Sequence, residues 1–424
     1  MAGPEPTLLR PRLGARTWVL AAALALLALA YTFVFSATRH GGLSGVRGDA
    51  HYIYQAARSI AEDGDIDLTN QYRASHDRWK LGRDPAADGT RLPVRELGPS
   101  LLMVPGLLVH QAGAFPEGLR ASFAVSIAAM SIGLTFAGVA ASIAALARRA
   151  AHPLGAARRD ALALAATLGF VVPFYALGTA GYAHAPDAAA SAWLVYLAIA
   201  AAPPALFGLG VALALLMRLQ NALWLVLVPL VAPPADTVTI GPRLRVLARA
   251  GALATATALL GLAPQLSMSL AHPGSKRGAI RWSLDFFDLQ DLGRDLLEVL
   301  VGVHGLFTWT PLAFFACLGL LLGLADRRAR PVAAGLGAVV ALLTLLFACA
   351  RDPNGGYAFG ARRHAGVTVA LGVGLALLDA ALARLPGRVG RWAPRVFAAL
   401  ALLLVAANLL HTELALRGEV KLAP

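Results

Sequence analysis

The sequence predicts an all-α protein, a polytopic transmembrane helical bundle of about 11–12 spans at ~20 apolar residues each. Three observations lead to it. The chain is 58% hydrophobic and 14% charged, with a mean hydropathy of +0.64, which is too apolar for a soluble globular domain. Apolar runs recur along all 424 residues, so residues 1–424 are read as a single integral membrane domain. Arginine punctuates those runs in short clusters, as it does in cytoplasmic loops. The net charge of +13 is therefore read as topology and not as nucleic-acid binding. Cys317 and Cys349 both lie inside apolar runs, where they make neither a disulfide framework nor a metal cluster and are expected to pack.

Arg10, Arg12 and Arg16 precede the first apolar stretch, about Thr17 to Ala37. It is too long for a signal-peptide core and lacks a clear cleavage site, so it is expected to stay as the first span with the N-terminus cytoplasmic. Residues 38–98 then form a long outer loop. Within GDAHYIYQAARSIAEDGDIDL, Asp49 is a natural N-cap, Tyr52, Ala56 and Ile60 share one helical stripe, and Gln55, Arg58 and Glu62 lie opposite. Gly64 is the expected stop. Such a helix is expected to lie along the membrane interface on its apolar stripe, holding Asp49 and His51 at the mouth of a cavity. The loop continues acid-rich through Asp63, Asp65 and Asp67.

Pro99 to Gly113 is short for a crossing and is interrupted by Pro105-Gly106. A re-entrant hairpin is expected there, returning the chain to the outer side. Ala121 to Ala147 descends to Arg148-Arg149 and Arg158-Arg159, and Asp160 to Gly181 rises to deliver Tyr182, His184 and Asp187. Ala188 to Ala202, Ala205 to Met217 and Ala222 to Val231 are short, which suggests tilted or broken spans; Arg218, Gln220 and Asn221 fall between the last two, on the outer side. Leu247 to Leu270 rises to a second outer loop, 271–305, whose stretch RWSLDFFDLQDLGRDLLEVL reads as another interfacial helix. Leu306 to Ala325 descends to the basic turn at Arg327-Arg328. Val332 to Ala350 rises to a Gly/Arg loop, 351–364, and the chain descends through about Leu385. Arg388, Arg391 and Arg395 mark the inside again before a last span, Val396 to His411.

On this topology the unusual polar clusters fall on one face: Asp49/His51, Tyr182/His184/Asp187, Arg218/Gln220, His304/Thr308/Trp309 and Tyr357/Arg362/Arg363. Taken singly, Asp49 reads as a cap, Arg218 as a snorkelling span end and His304 as a capping or water-facing residue. Their convergence carries the functional reading, because ionisable groups at membrane depth are costly and usually functional. Arg362-Arg363 lies outside, against the usual bias of basic loops, and guanidinium groups suit phosphate. Gly355-Gly356 and Gly360 flank Tyr357 and Phe359 and allow close backbone approach to a ligand. Their spacing is not that of a P-loop.

These motifs together resemble the polytopic glycosyltransferases of the GT-C superfamily, as found in protein O-mannosyltransferases and bacterial aminoarabinose transferases. The resemblance rests on GDAHYIYQAARSIAEDGDIDL after the first span, RELGPSLLMVPGLL, GTAGYAHAPDAAASAWL, HGLFTWTP and GGYAFGARR, in that order. The acidic motif is Asp-x-His where many relatives carry two adjacent acids, and the chain lacks the soluble C-terminal domain some members have. The resemblance implies an inverting transfer of a sugar from a polyprenyl-phosphate-linked donor to an acceptor glycan, lipid or protein on the outer face of the cell membrane. It makes Asp49 the general base and Arg362 and Arg363 the donor-phosphate ligands. His51, Tyr182, His184, Asp187, Arg218, His304 and Tyr357 would line the substrate side, with the apolar spans holding the polyprenyl tail in the bilayer. If a divalent metal takes part, Asp49, His51 and Asp187 are the candidate ligands and magnesium or manganese the candidate ions. Two readings from other classes remain: a secondary transporter or lipid flippase with an outer-facing polar cavity, and a membrane scaffold. A transporter predicts repeated halves and polar groups near the midplane, whereas a scaffold tolerates alanine at Asp49 and Arg362.

Overall fold

The computed structural model describes residues 13–419 apart from 41–45, 47, 75–88, 94, 114–115, 117–118, 153, 233–239, 271–286 and 351–358. Among the described residues the regular structure is helical, with one isolated antiparallel bridge between Phe287 and Ala350. The expected all-α membrane bundle is what forms. Helix α1 (Ala15–His40) is long enough to cross, and its hydroxyls mark three levels of the bundle. Thr17 Oγ1 donates to Asp160 Oδ1 at 3.0 Å, Thr32 Oγ1 to the Ala176 carbonyl at 3.0 Å, and Ser36 Oγ pairs with Ser122 Oγ at 3.0 Å. The level of Thr17 is called the arginine end below, and that of Ser36 the site end.

Helix α2 (Asp49–Arg58) passes into a π-helical turn, Ser59–Asp63, which Gly64 closes in the left-handed conformation (φ 74°), so the expected stop is met. Two expectations about α2 are corrected. Asp49 is the first helical residue and not the cap: the cap is Gly48, at φ 61° and ψ −132°, a conformation that favours glycine. Nor does α2 rest on a single apolar stripe. Ile53, Tyr54 and Ala57 pack on Met103, Leu107 and Ala124, while Tyr52 and Ala56 pack on Leu68 and Tyr72. Gln55, expected on a polar face, is buried.

The acidic run ends in turns. Asp65 Oδ1 accepts from Ser59 Oγ at 2.7 Å, and Asp67 Oδ1 accepts from Thr69 Oγ1 at 2.6 Å and the Arg91 amide at 3.0 Å. Burial raises the Asp67 pKa, but the Arg91 amide and the Thr69 hydroxyl and amide outweigh it and hold the carboxyl below its ordinary value. Helix α3 (Thr69–Ala74) follows. The expected hairpin at Pro99–Gly113 is instead one helix, α4 (Leu97–Gln111), with Pro105 inside it. Ser100 Oγ donates to the Ile53 carbonyl at 2.8 Å, and Gln111 Nε2 to that of Ala61 at 3.0 Å, so α4 runs beside α2 along its length. It thus stays at the site end, and the chain begins its next descent there.

Helices α5 (Arg120–Ala129) and α6 (Ser131–Ala150) form that descent, a 31-residue apolar span. Helices α7 (Ala156–Leu168) and α8 (Val172–Leu177) return, separated by a break whose open carbonyls at Leu168 and Phe170 accept from Asn408 Nδ2 at 2.8 and 2.9 Å. Helix α9 (His184–Ile199) descends and α10 (Pro204–Met217) rises. A 3-10 helix, Leu219–Leu227, and α11 (Val228–Val231) follow. The 3-10 form rises ~2.0 Å per residue against ~1.5 Å for an α-helix, which lets a short segment cover more depth. This is the broken span the short apolar run suggested.

Helix α12 (Ile240–Leu270) rises beside α10. Helices α13 (Leu292–Val301) and α14 (Leu306–Trp309) then turn by 100° into α15 (Pro311–Gly323), so α13 lies across the bundle as an interfacial helix would. Helix α16 (Arg330–Ala348) rises, and a 3-10 turn, Arg362–Val367, leads into the descending α17 (Thr368–Ala383). Helix α18 (Gly387–Arg417) closes the chain and starts earlier than expected, so Arg388, Arg391 and Arg395 sit on its first turns and not in a loop. By length and composition, six helices among the described residues, or seven counting the bent pair, are long and apolar enough to cross a membrane. The remaining crossings expected from the sequence fall on the short segments α7–α8, α9, α10 and 219–231.

Small residues let these helices touch. A Cβ on Gly319 would run into the Gly374 carbonyl, and one on Gly374 into the Ala316 carbonyl, so α15 and α17 meet backbone to backbone. Gly374→Val is expected to cost about 3 kcal/mol or more through overpacking. A melting temperature in detergent within about 2 °C of wild type would contradict that close contact.

Ion pairs concentrate at the arginine end. Asp160 is buried against Arg159 and Thr17, Arg158 Nε meets Asp379 Oδ2 at 2.5 Å, and Arg384 Nη2 meets Asp326 Oδ2 at 2.9 Å. His152, 3.3 Å from Asp326, has its pKa held below the ordinary value by burial and by Arg384 and Arg328, which together outweigh the opposite pull of Asp326. The unfolded chain therefore takes up a proton that the folded chain resists, so this stability is present above the ordinary histidine pKa of ~6.5 and lost as pH falls through the depressed value. The wild type should melt lower at about pH 5.5 than at about pH 7.5, and His152→Gln should narrow that gap; an unchanged gap would remove His152 as its source.

Candidate active site

The site end gathers the starts of several segments. The Gly48 turn opens α2 on Asp49, whose Oδ1 accepts from Arg95 Nη2 at 2.5 Å. Arg95 precedes α4, whose first amide, that of Leu97, is taken by Gln265 Oε1 from α12 at 3.0 Å. Tyr182 stands in the loop before α9 and feels Asp49, Arg362 and Arg95 together. Burial and the Asp49 charge raise its phenol pKa, against the opposing pull of the two arginines.

Two and five residues on, the first turn of α9 presents His184 and Asp187. Arg218 Nη1 lies 2.8 Å from His184 Nδ1. A guanidinium only donates, so Nδ1 accepts, and the ring proton sits on Nε2. His184 is also hydrogen-bonded to the Arg362 backbone, an interaction that suits Nε2–H donating to the carbonyl. One imidazole thus joins the α10 junction to the 3-10 turn that carries the arginine pair. The Tyr175 ring lies 4.4 Å from that imidazole, and its hydroxyl meets the Phe359 backbone at 3.2 Å.

Arg218 is in extended conformation (φ −158°, ψ 129°), which ends α10 and starts the 3-10 segment. Asn221 Nδ2 then donates to Asp187 Oδ1 at 2.6 Å and to the Ala214 carbonyl at 2.7 Å, while its Oδ1 accepts from Trp224 Nε1 at 3.2 Å. Asp187 is 0% exposed. Its other oxygen faces Gly366, where a Cβ would come within 3.0 Å of it, so glycine at 366 lets the 3-10 turn close onto α9. Gln220 Nε2 donates to the Arg363 carbonyl at 3.0 Å, and His364 Nε2 lies 3.1 Å from Thr344 Oγ1. Arg362 and Arg363 are thereby positioned through their backbones.

Of the residues singled out from sequence, Asp49, Tyr182, His184, Asp187, Arg218, Arg362 and Arg363 come together. His304 stands to one side: its ring stacks on Trp309 at 6.0 Å, which stacks on His411 at 4.6 Å and meets Phe359 at 4.8 Å. His51 packs edge-on against Tyr52 at 5.4 Å; two residues from Asp49 on a helix, it projects from a different face. Tyr357 lies outside the described residues. Among the described residues no group of three or more His, Cys, Asp or Glu side chains is arranged to hold a metal. Asp49 is engaged by Arg95 and Asp187 by Asn221, so these two and His51 do not form a ligand set.

Arg95 was not singled out from sequence, although it opens the RELGPSLL motif; the signal was an arginine immediately before a membrane element and in reach of the first outer helix. Tyr175 and Gln265 are hidden within apolar runs. Arginine outweighs carboxylate here, with Arg95, Arg218, Arg362 and Arg363 around Asp49, Asp187 and Glu96, and such a surplus suits a phosphate-bearing ligand.

No protein-family model matches the chain, and no curated protein matches it. Among solved structures it is similar to the oligosaccharyltransferase of Archaeoglobus fulgidus in the apo form, at 13% identity and a TM-score of 0.48 over 95% of this chain and 56% of that one. The same protein tethered to an acceptor peptide containing the NVT sequon matches at 12% identity and a TM-score of 0.45, covering 92% and 55%. Its complex with Zn and sulfate matches at 13% identity and 0.41, covering 91% and 52%. This chain spans little more than half the length of that protein.

Proposed function

We propose that the chain is a membrane glycosyltransferase that moves a sugar from a polyprenyl-phosphate donor to an acceptor hydroxyl, with inversion, at the site end of the bundle. The observation that carries this reading is the grouping of one ion-paired carboxylate, Asp49, with Arg95 and Arg362 around Tyr182. The arginine-rich turns lie at the opposite end, and the positive-inside bias supports a reading with the site on the outer face and the N-terminus in the cytoplasm.

Asp49 takes the acceptor's hydroxyl proton as the acceptor oxygen bonds to the sugar's anomeric carbon. The bond from that carbon to the phosphate oxygen breaks, and its electron pair leaves with polyprenyl phosphate. Arg362 and Arg363 offset the charge that develops on the leaving phosphate. Arg95 binds Asp49 before the donor arrives, and the donor phosphate competes for it; a carboxylate released from a guanidinium is the stronger base.

The test uses purified protein in lipid, a panel of labelled polyprenyl-phosphate sugars, and release of free polyprenyl phosphate as the readout, with and without chelator. Release that depends on Asp49 supports the reading. Folded protein that releases nothing from any donor, yet moves solute or lipid across liposomes, would establish a transporter or flippase instead.

A further inference from the structure

A pocket of about 300 Å³ lies at the arginine end, away from Asp49, between α6, α7 and α17. Ile143, Leu146, Leu154, Ala376 and Ala380 give it an apolar wall, and His152, Arg158, Asp379 and Arg384 form its polar edge. None of these residues takes part in the sugar-transfer reading.

The two guanidinium groups are held from behind. Arg158 donates from Nε and Nη2 to Asp379, and Arg384 donates from Nη2 to Asp326 and to His152 Nδ1 at 2.8 Å. The carboxylates lie inside, with side chains 5% and 17% exposed, while Arg158 and Arg384 are 44% and 55% exposed. Among the described residues, Arg384 makes its hydrogen bonds through Nη2 and Arg158 through Nε and Nη2. Arg384 Nε and Nη1 and Arg158 Nη1 are therefore left to face an incoming anion. A guanidinium fixed along one edge by a buried carboxylate loses little freedom when its other edge binds, which is how an oxyanion site is preorganised. Arg328 adds positive charge beside His152.

We infer that this cavity binds the headgroup of an anionic membrane phospholipid. Arg384 and Arg158 take the phosphate oxygens, and the alanine and leucine wall takes the glycerol and the first methylenes. Charge complementarity and depth favour this ligand: anionic headgroups lie at the level where arginine belts end the spans. The apolar wall offers nothing to read a nucleobase or a sugar.

Native mass spectrometry of the purified full chain tests it, by titration with phosphatidylglycerol and with phosphatidylcholine of the same chains. Wild type should retain phosphatidylglycerol preferentially. Arg384→Gln should weaken that retention by about tenfold, the scale of a lost charged hydrogen bond, and Arg395→Gln, which does not line the cavity, should leave it unchanged. Ala380→Leu fills the cavity while keeping every charge and should also abolish the preference, so it decides the matter if Arg384→Gln does not fold. Equal phosphatidylglycerol retention by wild type and Ala380→Leu would overturn the site. Full displacement by glycerol phosphate at similar concentration would replace the lipid with a soluble phosphate ester.

Discussion

Asp49→Asn is expected to lower the rate of the proposed sugar transfer by about 10²–10⁴-fold, the range associated with a positioned general base, and to leave the folded protein in place. Asparagine keeps the size of the side chain and can still accept from Arg95, so α2 and the Gly48 turn should survive. The informative comparison is Arg95→Gln. If Arg95 passes from Asp49 to the donor phosphate, that variant keeps most of its turnover and loses affinity for the donor, because the guanidinium that the phosphate would claim is gone. KM for the donor should then rise while kcat changes little. A transfer rate for Asp49→Asn within about tenfold of wild type, measured on protein of unchanged melting temperature, would rule out Asp49 as the base. Loss of turnover in both variants would instead make the ion pair itself the functional unit.

The sequence shows this pair only by half. Asp49 is legible because an acid after a first span, in a loop too long to be a mere connection, calls for an explanation. Arg95 lies 46 residues further on, and no periodicity links the two. The fold class was legible for a stronger reason: hydropathy and arginine placement are set by the bilayer, and they act on every span at once.

What failed was local. Asp49 reads as a cap because aspartate usually caps, but glycine at 48 can adopt a positive φ, and that turn moves the helix start by one residue. Pro105-Gly106 reads as a break, yet α4 stays helical through it; Gly106 instead lets α5 approach, with a Cβ there only 2.8 Å from Ala124 Cα. Tyr175 and Gln265 are invisible as site residues because a polar side chain in an apolar run gives no sign of the direction it faces. The convergence of Tyr182, His184, Asp187 and Arg218 was legible, since the spans alternate and so deliver alternate loops to one face.

Arg362→Gln is the second variant with a large expected effect, a loss of about 10²–10³-fold in turnover, comparable to removing one preorganised donor from a developing anion. The site allows this side chain to be removed cleanly. His184 is bonded to the backbone of Arg362 and not to its guanidinium, and Gln220 holds the carbonyl of Arg363. The 3-10 turn therefore keeps its seat when either guanidinium is lost. Arg362→Lys should recover only part of the rate, because an ammonium supplies the charge without the planar two-point contact. Gln220→Ala works in the opposite way: it leaves both guanidiniums in place and loosens the turn that aims them, so donor KM should rise more than kcat falls. The measurement is steady-state release of polyprenyl phosphate across donor concentrations for these three variants and for Arg363→Gln. If Arg362→Gln and Arg363→Gln both release donor phosphate at the wild-type rate, the leaving group is stabilised elsewhere, and Arg218, whose guanidinium reaches His184 at the same end, becomes the cation to remove next.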